Sequence, residues 1–111
     1  MSKLFRSQAL FIVSALACAA PSWAVDASAA QALARKSDCL KCHAVDKAKT
    51  GPSFKDVAAK YKGQADAEQK IVTHLTTGPK VKIDGKEETH PNLKSASEAE
   101  IKNVAQWILS R

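Results

Sequence analysis

The stretch Cys39-Leu40-Lys41-Cys42-His43 decides how this chain is read. Two cysteines separated by two residues, with histidine directly after, have the spacing of c-type haem attachment. Two thiols can add across the two vinyl groups of one porphyrin and tie the macrocycle to a single turn of backbone. The same turn aims His43 at the iron as a proximal imidazole. Two other chemistries use these residue types. A zinc site could be built from Cys39, Cys42 and two histidines, but zinc motifs place their histidine pair at its own spacing downstream rather than beside the second cysteine. A thioredoxin-like redox pair would want a βαβ pattern nearby, and none is evident. A disulfide between Cys39 and Cys42 would close a very short loop and leave His43 unexplained.

Outward from the motif, the N-terminal stretch reads as an address. Lys3 and Arg6 form a basic start, Ala9 to Ala20 is apolar, Pro21 breaks it, and Ser22-Trp23-Ala24 offers the small-x-small pattern of signal cleavage. Cleavage after Ala24 divides the chain into a signal peptide, 1–24, and one small domain, 25–111. A dozen apolar residues are too few to span roughly 30 Å of hydrocarbon, so no integral membrane segment is expected in the mature chain. Ala15-Leu16-Ala17-Cys18 loosely resembles a lipoprotein processing site, which is the lesser alternative. Cys18 leaves with the leader, so two of the three cysteines remain, both in the motif. Two thiols exported to an oxidising compartment are better explained by a cofactor than as free groups. The reading therefore places the protein in the periplasm.

The full chain carries a formal charge of +6, and Lys3 and Arg6 account for two of those charges. The lysines come without aromatic interleaving or a nucleic-acid motif, so nucleic acid is not an expected partner. A lysine-bearing face that meets acidic patches on redox-partner proteins is the better use of such charge, because it speeds encounter. Lys41, Lys47, Lys49, Lys80 and Lys82 are the residues placed to form it.

Four helices are expected. Ser28 to Lys36 is made of good helix formers, with Asp26 or Ser28 as cap and Arg35 and Lys36 at the negative end of the dipole. Gly51-Pro52 opens a second helix over Ser53 to Tyr61, with Phe54, Val57, Ala58 and Tyr61 at helical spacing. The third runs from Ala67 to Thr76 and buries Ile71, Val72 and Leu75, with Gly78-Pro79 as its stop. His74 precedes Leu75, which shares a face with Ile71, and is read as a surface residue. Residues 79–96 show no sustained period and read as a long loop, uncommon in a compact domain unless functional. Ser97-Glu98-Ala99-Glu100 fits a capping box and starts the last helix, with Ile101, Val104, Ala105, Ile108 and Leu109 as its stripe and Trp107 beside it. No strand is required.

Taken together, these residues resemble the short, single-haem bacterial class I c-type cytochromes of the periplasm. The resemblance covers the N-terminal helix, Cys-Leu-Lys-Cys-His, the Gly-Pro before Phe54 to Tyr61, a third helix ending at Gly78, and a final helix with Trp107. It implies an all-α class I cytochrome c fold of about four short helices around one haem c, attached by two thioether bonds. It also implies that the Pro52 carbonyl accepts a hydrogen bond from His43, that the last helix crosses the first, and that Trp107 packs near the haem edge or that crossing. Members of this family usually fill the sixth iron position with a methionine in the loop before the last helix, followed by proline. The only methionine here is Met1, in the leader, and Thr89-His90-Pro91-Asn92 stands at the matching place.

His43 and His90 are therefore the expected metal ligands, with Cys39, Cys42, Pro52 and Trp107 completing the cofactor site. The expected function is a non-enzymatic, low-potential carrier of single electrons. The alternative is a haem protein that binds or senses a small ligand at a displaceable or open sixth position. A colourless zinc module is the third reading.

Overall fold

The structure is a computed structural model that describes residues 24–111. The signal-peptide reading, its Ser22-Trp23 pair included, falls outside the described residues apart from Ala24. The elements follow in the order α1 (Ala27–Lys36), α2 (Cys39–Cys42), α3 (Phe54–Tyr61), α4 (Ala67–Thr77), β1 (Lys80–Ile83), β2 (Lys86–Thr89) and α5 (Glu98–Leu109).

Helix ends form where side chains satisfy free backbone N–H groups. The Asp26 side chain accepts from the Ala29 N–H at 2.9 Å and caps α1. Ser53, buried, caps α3 by accepting from the Asp56 N–H, so Pro52 lies just outside that helix. At α5 the capping box is complete. Ser97 Oγ accepts from the Glu100 N–H, and the Glu100 carboxylate accepts from the Ser97 N–H at 2.8 Å.

Helices α1 and α5 pack directly together. Ala30, Ala34 and Ala105 are fully buried, and side chains this small let the two backbones approach closely. Asn103 clamps the crossing by accepting from the Asp26 N–H and donating to the Asp26 carbonyl. Helix α5 also packs on α3 and α4, with Ile101, Val104, Trp107 and Ile108 buried among Phe54, Ile71, Leu75 and Leu93. That core leaves one side open, and the residues of the Cys39–His43 turn stand over it.

Two expectations need correcting. Five helices form rather than four, because Cys39–Cys42 makes a helical turn of its own. Residues 80–89 form an antiparallel hairpin rather than a loop, pairing Lys80 with Thr89 and Ile83 with Lys86. Asp84 and Gly85 both have positive φ (51° and 78°), which turns the chain in two residues with the twist a hairpin requires. Among the described residues no helix is long and apolar enough to cross a membrane.

Candidate functional site: a crevice between two histidines

Cys39, Cys42 and His43 stand at i, i+3 and i+4, which gathers them on one side of a single helical turn. The His43 N–H closes the turn on the Cys39 carbonyl at 3.0 Å. Burial pushes the Cys39 thiol up from its ordinary range, the opposite of the thiolate that a redox-active cysteine pair needs. Among the described residues no three Cys, His, Asp or Glu side chains converge as a metal cluster.

The chain after His43 folds back on the motif. The Gly51 N–H donates to the Cys42 carbonyl at 2.7 Å, and the Phe54 N–H to the Ala44 carbonyl. Gly51 is thereby pressed on the His43 ring so closely that a Cβ there would lie 2.5 Å from Cε1. The next residue supplies the hydrogen bond. His43 Nδ1 lies 2.7 Å from the Pro52 carbonyl oxygen, which can only accept, so Nδ1 donates and, in the neutral imidazole, Nε2 is the nitrogen with the lone pair. Phe54 stacks on the same ring, with centroids 5.2 Å apart and planes 20° apart. Trp107 stands behind Phe54 at 5.3 Å, edge-on. Its indole Nε1–H is buried and finds no acceptor among the described residues.

His90 is held by the same kinds of parts. Its N–H donates to the Pro79 carbonyl at 2.9 Å at the base of the hairpin, and the Leu93 N–H donates to the Leu75 carbonyl at 2.7 Å. Between those two bonds the chain passes over the end of α4, where Gly78 has φ 59° and a Cβ would lie 2.8 Å from the His90 carbonyl oxygen. His90 Nδ1 donates to the Pro91 carbonyl at 2.6 Å, which again leaves Nε2 bare. Each histidine thus has a glycine beneath it and a proline carbonyl on Nδ1.

The two rings face one crevice of about 530 Å³, with centroids 6.2 Å apart and planes 48° apart. The wall is mainly apolar, with Phe54, Ile71, Leu75, Leu93, Val104 and Ile108 from the core and Val81 and Ile83 from the hairpin. Its size falls within the range of cofactor pockets, and a largely apolar wall with a few placed polar groups suits a macrocycle. The cysteines, the two bare nitrogens and the crevice between them fit a covalently attached haem.

His74 is not the surface residue that its place before Leu75 suggested. It follows Ile71 by three positions and so shares the buried stripe of α4. Its ring lines the crevice 4.5 Å from that of His90, at 67°. Burial, with the neighbouring His90 second, lowers its pKa from the ordinary histidine value. The hairpin wall and the seat that Gly78 gives His90 are further site features that sequence periodicity missed. The lysines divide: Lys82 lines the crevice, Lys49 donates to the Leu40 carbonyl at 2.7 Å, and Lys80 to Thr89 Oγ1 at 2.8 Å. Lys41 makes an exposed pair with Asp38 at 3.1 Å.

Residues 27–111 match the family model described as cytochrome c. The chain is 37% identical to cytochrome c-551 of Pseudomonas aeruginosa over 81% of each chain. The crystal structure of the class 1 cytochrome MtoD from Sideroxydans lithotrophicus ES-1 is 56% identical, with TM-score 0.77, over 78% of this chain and 97% of that one. The crystal structure of Nitrosomonas europaea cytochrome c552 is 34% identical, with TM-score 0.60, over 72% and 96% respectively.

Proposed function

The chain belongs to the cytochrome c family, and on that premise we propose that it is a periplasmic electron carrier whose iron is held between His43 and His90. Membership brings one covalently bound haem c and the class I cytochrome c fold, here with five helices and a small hairpin. In this reading Cys39 and Cys42 carry the two thioether bonds. Haem supplies one-electron chemistry between ferric and ferrous iron, and the protein transforms no substrate.

One observation carries the ligand assignment: His90 is seated as His43 is. Both have a glycine packed against them (Gly51 on the ring of His43, Gly78 on the backbone carbonyl of His90), a proline carbonyl that fixes Nδ1–H, and a ring turned to the same crevice. Such outer partners fix the tautomer and raise the basicity of a ligating imidazole. Val81, Ile83 and Leu93 keep water from the side of His90, and Phe54 does so beside His43. Trp107 acts at one remove, through its edge-on contact with Phe54, and does not itself line the crevice. Methionine as partner to histidine raises the potential, so a second imidazole in its place makes this carrier a low-potential one. Lys82 on the crevice rim, with exposed Lys41 and Lys47, forms the face offered to acidic patches of redox partners.

The test is the electronic spectrum of haem-matured protein, unmodified and as His90→Ala. The unmodified protein is expected to be low-spin, without a sulfur-to-iron band and slow to bind carbon monoxide, and the variant high-spin. A low-spin His90→Ala spectrum, or a potential at or above that of a His/Met-ligated relative, would refute the assignment. A high-spin unmodified protein with rapid carbon monoxide binding would support the open-site alternative instead.

A further inference from the structure

Resting on His90 as an iron ligand, we propose that His74 is the positioning residue that sets the plane of the His90 ring and bars its swing away from the iron. The contact is between rings: centroids 4.5 Å apart, planes 67° apart, and no hydrogen bond joining the two. That edge-to-face arrangement is favourable for aromatic rings beyond the area it buries. It has a counterpart across the crevice, where Phe54 braces His43 at 5.2 Å. Each histidine therefore has a glycine, a carbonyl and one aromatic brace. Phe54 is nine-tenths or more buried, so its ring is apolar.

His74 is only half-buried, which explains why its ring is polar. Beyond the crevice it also lines a smaller surface cleft of about 330 Å³, shared with Tyr61, Asp66, Lys70 and Thr77. The ring, with Tyr61 beside it, stands between the two spaces. Truncating it opens a path from the surface to the side of the iron held by His90 and gives that ring somewhere to go. Helix α4 carries the brace rigidly, since Ile71 and Leu75 on the same stripe are buried in the core.

The test uses haem-matured protein with three variants, His74→Ala, His74→Phe and His90→Ala. The readouts are the g-values of the ferric low-spin signal, which report how the two imidazole planes are turned, and the rate at which cyanide replaces His90. Loss of the brace in His74→Ala is expected to shift and broaden the g-values and speed cyanide entry roughly two- to tenfold. His74→Phe, which keeps a ring and drops both nitrogens, is expected to match the unmodified protein in both. Unchanged g-values and cyanide rate in His74→Ala would overturn the proposal, as would His74→Phe behaving like His74→Ala. If His74→Ala and not His90→Ala loses the low-spin form, His74 is itself the ligand and both readings fall. If His90→Ala alone turns high-spin while His74→Ala is unchanged, the ligand stands and the brace fails.

Discussion

Replacing Gly78 by alanine tests the seat of His90 without touching either proposed ligand. Two costs combine there. The first is conformational: φ is 59°, and left-handed backbone costs an ordinary residue roughly 1–2 kcal/mol. Restricting the unfolded chain returns about 0.4–1 kcal/mol of that. The second is steric, because the new Cβ would stand 2.8 Å from the His90 carbonyl oxygen, a backbone atom that cannot swing aside as a side-chain tip can. Forcing an extra methyl into a packed position typically costs about 1–3 kcal/mol.

Gly63 provides the control: φ is 79°, and nothing lies within 4 Å of its added Cβ. Gly63→Ala should therefore cost about 1 kcal/mol and Gly78→Ala about 2–4 kcal/mol. Denaturant unfolding of the haem-matured variants measures both. Only Gly78→Ala should also perturb the low-spin spectrum, since only there must the backbone of His90 move. Equal stabilities for the two variants, with both spectra unchanged, would refute the idea that Gly78 seats His90.

Four further substitutions have expected outcomes. His90→Met, with Pro91 still next in the chain, should raise the redox potential above that of the unmodified protein in a spectroelectrochemical titration. Leu93→Ala should cost about 2–5 kcal/mol in denaturant unfolding, because Leu93 is buried and anchors the His90 segment to the core. Ser97→Ala should cost about 1 kcal/mol by removing the cap of α5. The Ser97 N–H holds the Glu100 carboxyl below the ordinary glutamate value of 4.5, so its contribution to stability is present above that pH. The contribution is lost as the pH falls through the lowered value, and Glu100→Gln should flatten that part of a stability–pH profile.

The parts legible in the sequence are those whose determinants are local. The Cys39–His43 turn, the Ser97–Glu100 box and the Asp26 cap each depend on residues within four positions, and all three form as expected. The contact of Pro52 with His43 spans nine positions and was implied by family resemblance rather than by any local rule. The hairpin escaped for a different reason. Lys80-Val81-Lys82-Ile83 alternates, but its partner Lys86-Glu87-Glu88-Thr89 has no apolar residue at all, so a search for period two finds half a hairpin. The strand exists because Val81 and Ile83 have a crevice to face, and a sequence shows that only once the cofactor is counted as part of the core.

The same reasoning accounts for His74. On α4 the positions 71, 74 and 75 form one stripe, yet a histidine on such a stripe looks misplaced while the stripe is assumed to meet only apolar side chains. It meets His90 instead. Its place on the stripe marks where α4 reaches the crevice rather than the apolar core. His43 and His90 line the same crevice from outside the helices, so all three of the histidines in the sequence meet at one site. On the proposed reading two of them bind the iron and the third holds one of the two still.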